Sequence, residues 1–539
     1  MDSSSQAPTS NTKKTPEDYQ ELKGHEAVAE ITKETENHGK IINDSVHGYI
    51  SLHPLLVKVI DTKAFQRLRE IKALGMASYV YPTANHRRFE HSIGTAHLAG
   101  RLIQALAVRH PTLNITHDEI LCVMLAGLLH DIGHGPFSHM FDAFMESMHP
   151  SESWKHEGVA GKIIDYLLDP KNGILYREFK NYGLTGTATA IIKKMIEPDG
   201  KEAKDRLFLY QIVSNKQSGI DVDKWDYLAR DRRQANEGGS FSHQRFIDFS
   251  CIIQVKAKDG SVSSEIAYRD KEMDNFYDMF NVRYRMHKKV YRHPVVLVLD
   301  SMMDDNGEKN ALSNIFKYDQ IGNGAFLLAT DESVRFLINN TQQPTDVQEA
   351  QKIQEAQKIL ERIAERRLYT IIGRTYANKT PEEKVNGKVI RAKIANSVAD
   401  EEFVAWCEKN LIVLPNEFNY GMKTKNPILF VNFYEKGQDE KQQLSEEKLS
   451  PMMPKTFSET DILFLCRKED KDCDEKDKKF LQDATAAVEK WCAENQYVLK
   501  SMKKDKTLQS MKRKQEQDIE QTSRAQTEAE TVPVKKRMP

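Results

Sequence analysis

The chain has 539 residues, enough to bury a large core in more than one lobe. Its 78 Lys and Arg balance 79 Asp and Glu, so a formal net charge of −1 gives no global field to draw in nucleic acid or a membrane surface. Six scattered cysteines, no basic-then-apolar leader and no apolar run of about 20 residues argue against a disulfide framework or a membrane span and predict a reducing, intracellular setting.

Residues 1–38 are polar and rich in Ser, Thr, Lys and Glu, a composition that predicts disorder. Order is expected from Lys40, where GKIINDSVHGYISLHP alternates apolar and turn residues as a short hairpin does. From Pro54 to about Tyr291 helices dominate the pattern. In HSIGTAHLAGRLIQAL, Ile93, Ala96, Ala99, Leu102, Ile103 and Leu106 fall on one helical face. Thr116-His117-Asp118-Glu119 predicts a capping box. The helix it opens runs into His130-Asp131 and stops at Gly133, Gly135 and Pro136. Residues 245–270 read as a hairpin around a Lys-Asp-Gly turn, and 271–292 as a long helix. Residues 300–460 mix helices, as at 350–367, with strands such as PILFVNFY, and 476–497 is a helix. Residues 499–539 are charged and predicted to be disordered. The expected fold is mainly α: a helical core over 39–292 with short β-hairpins, then a smaller mixed α/β lobe over 293–498.

An apolar helix that ends in His130-Asp131, with His134 and His139 just beyond, calls for an explanation. Burying imidazole and carboxylate costs free energy unless an ion or a charge partner compensates them. His91 in NHRRFEHSIG and Asp223 in GIDVDKWDYLARD complete a His…His-Asp…Asp order. Two His and two Asp suit Zn, Fe or Mn and leave coordination positions open for chemistry. An ion held this way acidifies water and polarises phosphoryl oxygens, which points to hydrolysis of a phosphate ester or anhydride. His139 and Asp142 lie three apart in a helical stretch and share a face, so the carboxylate can hold an imidazole that protonates a leaving oxygen. His134 and His156 complete the neighbouring set. Arg88, three residues before His91, and Lys224, next to Asp223, are placed to clamp phosphate.

INDSVHGYISLHPLL, FQRLREIKALG, RFEHSIG, HDIGHGPFSHMF, GIDVDKWDYLARD and RDKEMDNFYDMF follow one another in this chain. Together they resemble the HD phosphohydrolases and, more closely, the sterile-alpha-motif and HD-domain dNTP triphosphohydrolases, from about Lys40 to Lys436. The resemblance implies cleavage of a dNTP to a deoxynucleoside and inorganic triphosphate. It implies a homotetramer assembled by GTP and dNTP, with a magnesium ion between the bound nucleotides, and roles in dNTP-pool control and antiviral restriction. By resemblance the metal ligands are His91, His130, Asp131 and Asp223, and the catalytic groups His134, His139, Asp142 and His156. Arg88, Lys224 and Arg283 would hold the triphosphate, Tyr227 and Asp231 the sugar, and Leu74 and Tyr291 would crowd a 2′-hydroxyl. A GTP site would use Lys40, Asn43, Asp61, Gln66, Arg69 and Arg366. A dNTP regulatory site would use Tyr81, Arg245, Arg269, Lys271, Asn275, Lys289, His293 and Lys436.

The chain also departs from that family. Only a short polar segment precedes Lys40, so no sterile-alpha-motif domain is expected. Ala73 and Arg292 stand where the family has glutamines, Thr370 replaces a regulatory-site lysine, and Glu435 replaces a reactive cysteine. The C-terminal tail shows no Thr-Pro pair, while Thr15-Pro16 near the other end has that form. Residues 500–514 carry seven Lys and Arg, and PVKKRMP ends the chain. Such runs suit single-stranded nucleic acid or nuclear import, so a nuclear location is expected, with the cytoplasm as the alternative. Two rival readings stand beside the dNTP triphosphohydrolase: another HD-type hydrolase of small phosphate esters, and a catalytically weak nucleic-acid-binding protein.

Overall fold

The computed structural model describes residues 16–150, 154–184, 186–310, 326–340, 347–377, 385–438, 441, 449, 453–468 and 473–500. Composition predicts disorder over residues 1–38, but residues 16–38 form helices α1 (Pro16–Glu21) and α2 (His25–His38). In α2, Ala27, Ile31 and Glu34 recur at helical spacing and are buried. The stripe holds two apolar residues and one carboxylate, so average polarity concealed it. The expected hairpin follows at once: β1 (Lys40–Asp44) pairs antiparallel with β2 (Gly48–Leu52), from Lys40↔Leu52 to Asp44↔Gly48. Ile50 and Leu52 point inward, while Ile41 and Tyr49 are exposed.

Two helices make the centre of the core. Helix α3 (Arg88–Arg109) buries Ile93, Ala96, Ala99, Leu102, Ile103 and Leu106, the face read from the sequence. Helix α4 (His117–Leu129) is buried at every position from Ile120 to Leu129, because it is apolar all round. Its capping box is present: Glu119 N–H donates to Thr116 Oγ1, and Thr116 N–H donates to a Glu119 carboxylate oxygen. Gly127 lets the two helices meet, since a Cβ there would lie 3.1 Å from Ala96 Cα. Helices α5 (His139–Met148), α6 (His156–Leu167) and α7 (Val222–Gln234) complete the frame of the site.

The second predicted hairpin forms as β3 (Ser250–Lys256) and β4 (Val262–Arg269), antiparallel, but residues 243–248 before it are helical. Ser242 caps that turn by accepting from Arg245 N–H. Helix α8 (Met273–Met286) ends in a π-helical turn, His287–Tyr291. PILFVNFY is only briefly a strand. Pro427–Phe430 is a 3-10 turn, with Asn426 accepting from Ile428 N–H, and Phe433–Tyr434 alone pairs, parallel to β4.

The described residues divide into two compact units, and the expected lobe boundary at 293 falls inside the first. One unit runs to Leu368 and includes Phe418–Ser458; the other holds Tyr369–Glu417 and residues from Glu459 onward. The first unit keeps the helix Pro294–Asn310 because Val296, Val298, Leu299, Met302 and Met303 are buried. A four-stranded sheet in the order Leu411–Asn419, Ser458–Cys466, Thr370–Thr375 and Leu499–Lys500 belongs to the second unit except for Phe418, Asn419 and Ser458. Phe403, Trp406, Phe464, Phe480 and Trp491 build the core of that unit with helices Glu401–Asn410 and Glu475–Glu494. The basic tail beyond 500 and Thr15 lie outside the described residues. No described helix is long and apolar enough to cross a membrane.

Candidate active site

Four predicted ligands converge where α3, α7 and the end of α4 meet. His91 Nε2 lies 3.2 Å from His130 Nε2, 3.1 Å from Asp223 Oδ1 and 3.5 Å from Asp131 Oδ2. His130 Nε2 lies 3.4 Å from both Asp131 Oδ1 and Asp223 Oδ1. Ligand atoms about 2.0–2.2 Å from one ion stand about 3–3.5 Å from each other, so the spacing fits a metal.

The ring tautomers fit as well. His91 Nδ1 donates to Asp226 Oδ2 at 2.7 Å, and His130 Nδ1 donates to the Gly127 carbonyl at 2.8 Å. In a neutral ring each Nε2 is then the nitrogen that carries the lone pair, free to face an ion. In the protein alone, burial disfavours the charged form of His91, but the hydrogen bonds to Asp223 and Asp226 outweigh it and push its pKa up to about 10. Burial likewise opposes charge on Asp131, yet Arg88 and His130 hold its carboxyl well below the usual range.

The second array lies beside the first. Asp142 Oδ2 accepts from His156 Nδ1 at 2.9 Å and from His139 Nδ1 at 3.2 Å, while Asp142 Oδ1 accepts from Trp154 Nε1 at 3.1 Å. His134 stacks on His156 with ring centroids 3.8 Å apart and meets His139 edge-on. His134 is fully buried, and neither of its ring nitrogens makes an aligned hydrogen bond. Burial, Arg88 and His156 keep it neutral. The His139 side chain is 71% exposed, at the mouth of the array. Gly133 permits the close approach of α6: a Cβ there would fall 2.0 Å from the His156 carbonyl oxygen. Phe137 and Ser138 both have positive φ, 60° and 59°. Side-chain bonds hold that strained turn: Asp331 accepts from Phe137 N–H at 2.7 Å, and Ser138 Oγ donates to the Lys72 carbonyl at 2.7 Å.

The residues expected to grip phosphate are bonded to protein groups here. Arg88 donates to Asp131 Oδ2 at 2.7 Å, Ser138 Oγ at 2.9 Å and the Ala73 carbonyl at 3.1 Å, so it first orients a metal ligand. Lys224 pairs with Asp221 at 3.1 Å, a carboxylate that also caps α7. Arg283 donates to the Asn419 carbonyl and lies close enough to Tyr227, His287 and Tyr291 to influence their ionisation. Asp231, expected at the sugar, is bonded to Tyr291, expected at the 2′ position. Tyr291 donates to Asp231 Oδ2 at 2.6 Å, and His86 Nε2 meets Asp231 Oδ1 at 2.7 Å. Leu74 is half-buried just before a short 3-10 turn.

The expected GTP residues sit on the surface. Lys40 and Asn43 are exposed on β1, and Asp61 is exposed at the end of the helix Pro54–Ile60. Gln66 accepts from Arg69 Nε at 2.8 Å, and Arg69 lies 3.5 Å over the Phe89 ring. Arg366 donates to the Tyr79 carbonyl at 3.3 Å. The expected dNTP residues form two groups. Tyr81 donates to the Lys289 carbonyl at 2.9 Å and packs edge-on to His293, while Lys289 pairs with Glu237. Arg245 and Asn275 share buried Glu272, Lys271 lies over Phe249, and Arg269 lies over Tyr434. Lys436 is exposed.

Sequence reasoning missed His47, His86, Ser138, Asp226, Arg230, His287 and Asp331. Asp226 and Arg230 were findable: they follow Asp223 in DKWDYLARD at helical spacing. It also missed a buried cluster of Glu34, His53 and His117. Hydrogen bonds account for that cluster. His53 Nδ1 accepts from Leu55 N–H at 3.2 Å, so its proton is on Nε2, which donates to Glu34 at 2.8 Å. A metal would need that Nε2 lone pair.

The HD domain family matches residues 88–231, which span all four ligands. The fold and the site define an HD-domain hydrolase whose residues are built to hold a metal ion. The chain is 36% identical over 509 residues to the deoxynucleoside triphosphate triphosphohydrolase SAMHD1 of Mus musculus, covering 87% of this chain and 73% of that protein. SAMHD1 of Gallus gallus is 37% identical over 462 residues (80% and 72%) and that of Homo sapiens 35% over 497 residues (85% and 74%). The chain belongs to the family of the SAMHD1 deoxynucleoside triphosphate triphosphohydrolases.

Proposed function

We propose that this protein hydrolyses a dNTP to a deoxynucleoside and inorganic triphosphate at the His91–His130–Asp131–Asp223 centre, with Zn, Fe or Mn as its ion. The observation that carries the reading is the pair of buried Nε2 atoms 3.2 Å apart, with Asp131 and Asp223 carboxylate oxygens 3.1–3.5 Å from them. A bound ion there supplies Lewis acidity and an acidified water. Water adds to the α-phosphorus as the bond to the 5′-oxygen breaks, and His139, held by Asp142, gives the proton to that oxygen. Arg88, Lys224 and Arg283 neutralise the triphosphate. For Lys224 and Arg283 this requires leaving or sharing their present partners, Asp221 and Asn419. Tyr227 and Asp231 take the sugar, and Leu74 and Tyr291 leave no room for a 2′-hydroxyl.

We extend the proposal to activation. GTP at Lys40, Asn43, Asp61, Gln66, Arg69 and Arg366, and dNTP at Tyr81, Arg245, Arg269, Lys271, Asn275, Lys289, His293 and Lys436, would assemble a homotetramer. Magnesium would join the nucleotide phosphates. The exposure of Lys40, Asn43, Asp61, Arg69 and Arg366 supports this, as does the clustering of cations around Glu272 and Glu237. The basic tail supports a nuclear location and contact with single-stranded nucleic acid. Control of the dNTP pool, and through it antiviral restriction, would follow. The test is incubation with each dNTP, with and without GTP, and identification of the phosphate product. Inorganic triphosphate supports the reading; monophosphate or pyrophosphate assigns a different hydrolase.

A further inference from the structure

Asp226 is wholly buried and accepts four hydrogen bonds. Its Oδ2 takes His91 Nδ1 at 2.7 Å and Arg230 Nε at 2.9 Å; its Oδ1 takes His47 Nε2 at 2.7 Å and Arg230 Nη2 at 2.8 Å. Arg230 Nη1 continues to Asp44 Oδ2 at 2.8 Å, and Asp44 Oδ1 accepts from the backbone N–H of His47 at 2.9 Å. Asp44 and His47 belong to the β1–β2 turn, far in sequence from α3 and α7. The turn and the α7 pair therefore form one closed ring of hydrogen bonds, and the α3 imidazole is bonded to it at Asp226. Gly94 of α3 leaves the space, since a Cβ there would lie 1.9 Å from Asp226 Oδ1 and 2.5 Å from Arg230 Nη2. On its outer side the His47 ring rests on His97 and His243, at 5.5 and 5.2 Å between centroids.

Neither Asp226 nor His47 is among the converging ligand atoms. Their effect falls on His91. An imidazole can turn about its side-chain bonds and can carry its proton on either nitrogen. The carboxylate at Nδ1 fixes both the turn and the proton, and that carboxylate is itself free to turn unless its other oxygen is held. His47 and Arg230 hold it. We propose that the β1–β2 turn is a positioning device for the metal centre: His47, with Asp44 acting through Arg230, locks Asp226 so that His91 presents Nε2 as a fixed lone pair.

The inference rests on the reading of His91 as a metal ligand, and the experiment separates the two. Full-length wild type, His47→Ala, His47→Gln and Asp226→Asn are loaded with Zn(II) and challenged with a chromophoric chelator, and the release rate is followed. Loss of a partner that orients a metal-bound imidazole costs about 10- to 100-fold in metal affinity. Release from His47→Ala and Asp226→Asn should therefore be faster by about that factor. His47→Gln, which keeps an N–H donor, should recover part of it, and kcat for dNTP should fall with KM nearly unchanged. Release from His47→Ala at the wild-type rate overturns the proposal. A wild type that retains no zinc overturns the ligand assignment instead. Should His47→Ala fail to fold, Arg230→Lys keeps the buried charge, removes the paired contact, and gives the same comparison.

Discussion

His139 and His156 share one oxygen of Asp142, at 3.2 and 2.9 Å, although only His156 is buried against His134. Burial opposes charge on Asp142, but the hydrogen bonds from His139 and His156 hold its carboxyl far below the usual range. One carboxylate thus stays ionised between two imidazoles, and the exposed one, His139, is the proton donor in the proposed reaction. His139→Ala should keep its metal and lose about 100- to 10,000-fold in kcat, the range general acids contribute. Elemental analysis alongside kcat decides it, and a mutant turning over near the wild-type rate makes His139 structural.

His130→Ala with Asp131→Ala removes two of four ligands and should abolish both metal and turnover. The double change also leaves the buried Arg88 without its 2.7 Å partner, an uncompensated charge that destabilises by about 3–5 kcal/mol. A lower melting temperature is therefore expected even in metal-free protein. Full metal occupancy in the double mutant would falsify the centre.

Glu34 predicts how pH acts on the amino-terminal helices. His53 and His117 donate to Glu34 Oε2 at 2.8 and 3.1 Å, and the Tyr19 ring stacks on His117. Burial alone would raise the Glu34 pKa, but the bonds from His117 and His53 bring it from 4.5 to about 2. Its contribution, about 3 kcal/mol, is complete above 4.5 and is lost as pH falls toward 2. Burial depresses the His53 pKa, so its contribution holds above 6.5 and fades on acidification. Burial opposes charge on His117, but Asp118 and Glu34 raise its pKa, so its contribution holds below 6.5 and is lost as pH rises through the raised value. Protease resistance of residues 16–38 should therefore fall on both sides of a middle window. Glu34→Gln should loosen them at every pH; unchanged cleavage of that variant rejects the clamp.

The motifs carried the convergence of His91, His130, Asp131 and Asp223 and the His139–Asp142 pair, because each lies in a short segment whose periodicity or turn residues fix its local geometry. The hairpin at Lys40 and the cap at Thr116 were legible for the same reason. Helix α2 was not, since its docking depends on one buried carboxylate meeting two histidines 19 and 83 residues away in sequence. Arg88 and Lys224 were singled out beside His91 and Asp223, but their partners Asp131 and Asp221 follow from three-dimensional packing. The unit boundary was missed because the chain leaves the first unit at Leu368 and returns at Phe418, a crossing with no composition shift to mark it.

Asp61→Ala tests activation. Asp61 is exposed at the end of its helix, with Gln66 and Arg69 a turn further on. A carboxylate accepts from guanine N1–H and its exocyclic amine together, a pattern adenine does not offer. The variant should lose GTP-driven assembly by light scattering while keeping its metal. An effector shifts an equilibrium only by binding one state better, so tetramers that still form with GTP reject the role.

Ala73 and Arg292 should set the base preference. Ala73 is buried, and its backbone accepts from Arg88 and donates to the His86 carbonyl, so it stands beside two residues of the site. Its methyl offers a base no hydrogen bond. Arg292 follows Tyr291 and acts, after burial and Arg283, to keep His287 uncharged, which places a permanent cation at the same end of the π-helical turn. An arginine offers donors only. The site should favour bases with carbonyl acceptors, guanine O6 or pyrimidine O2, which adenine lacks, so dGTP, dCTP and dTTP should be hydrolysed better than dATP. A single hydrogen bond is worth about 0.5–1.5 kcal/mol, which limits the preference to about tenfold. The measurement is kcat/KM for all four dNTPs in wild type and in Ala73→Gln/Arg292→Gln. If the double variant ranks the four substrates as the wild type does, neither position reads the base.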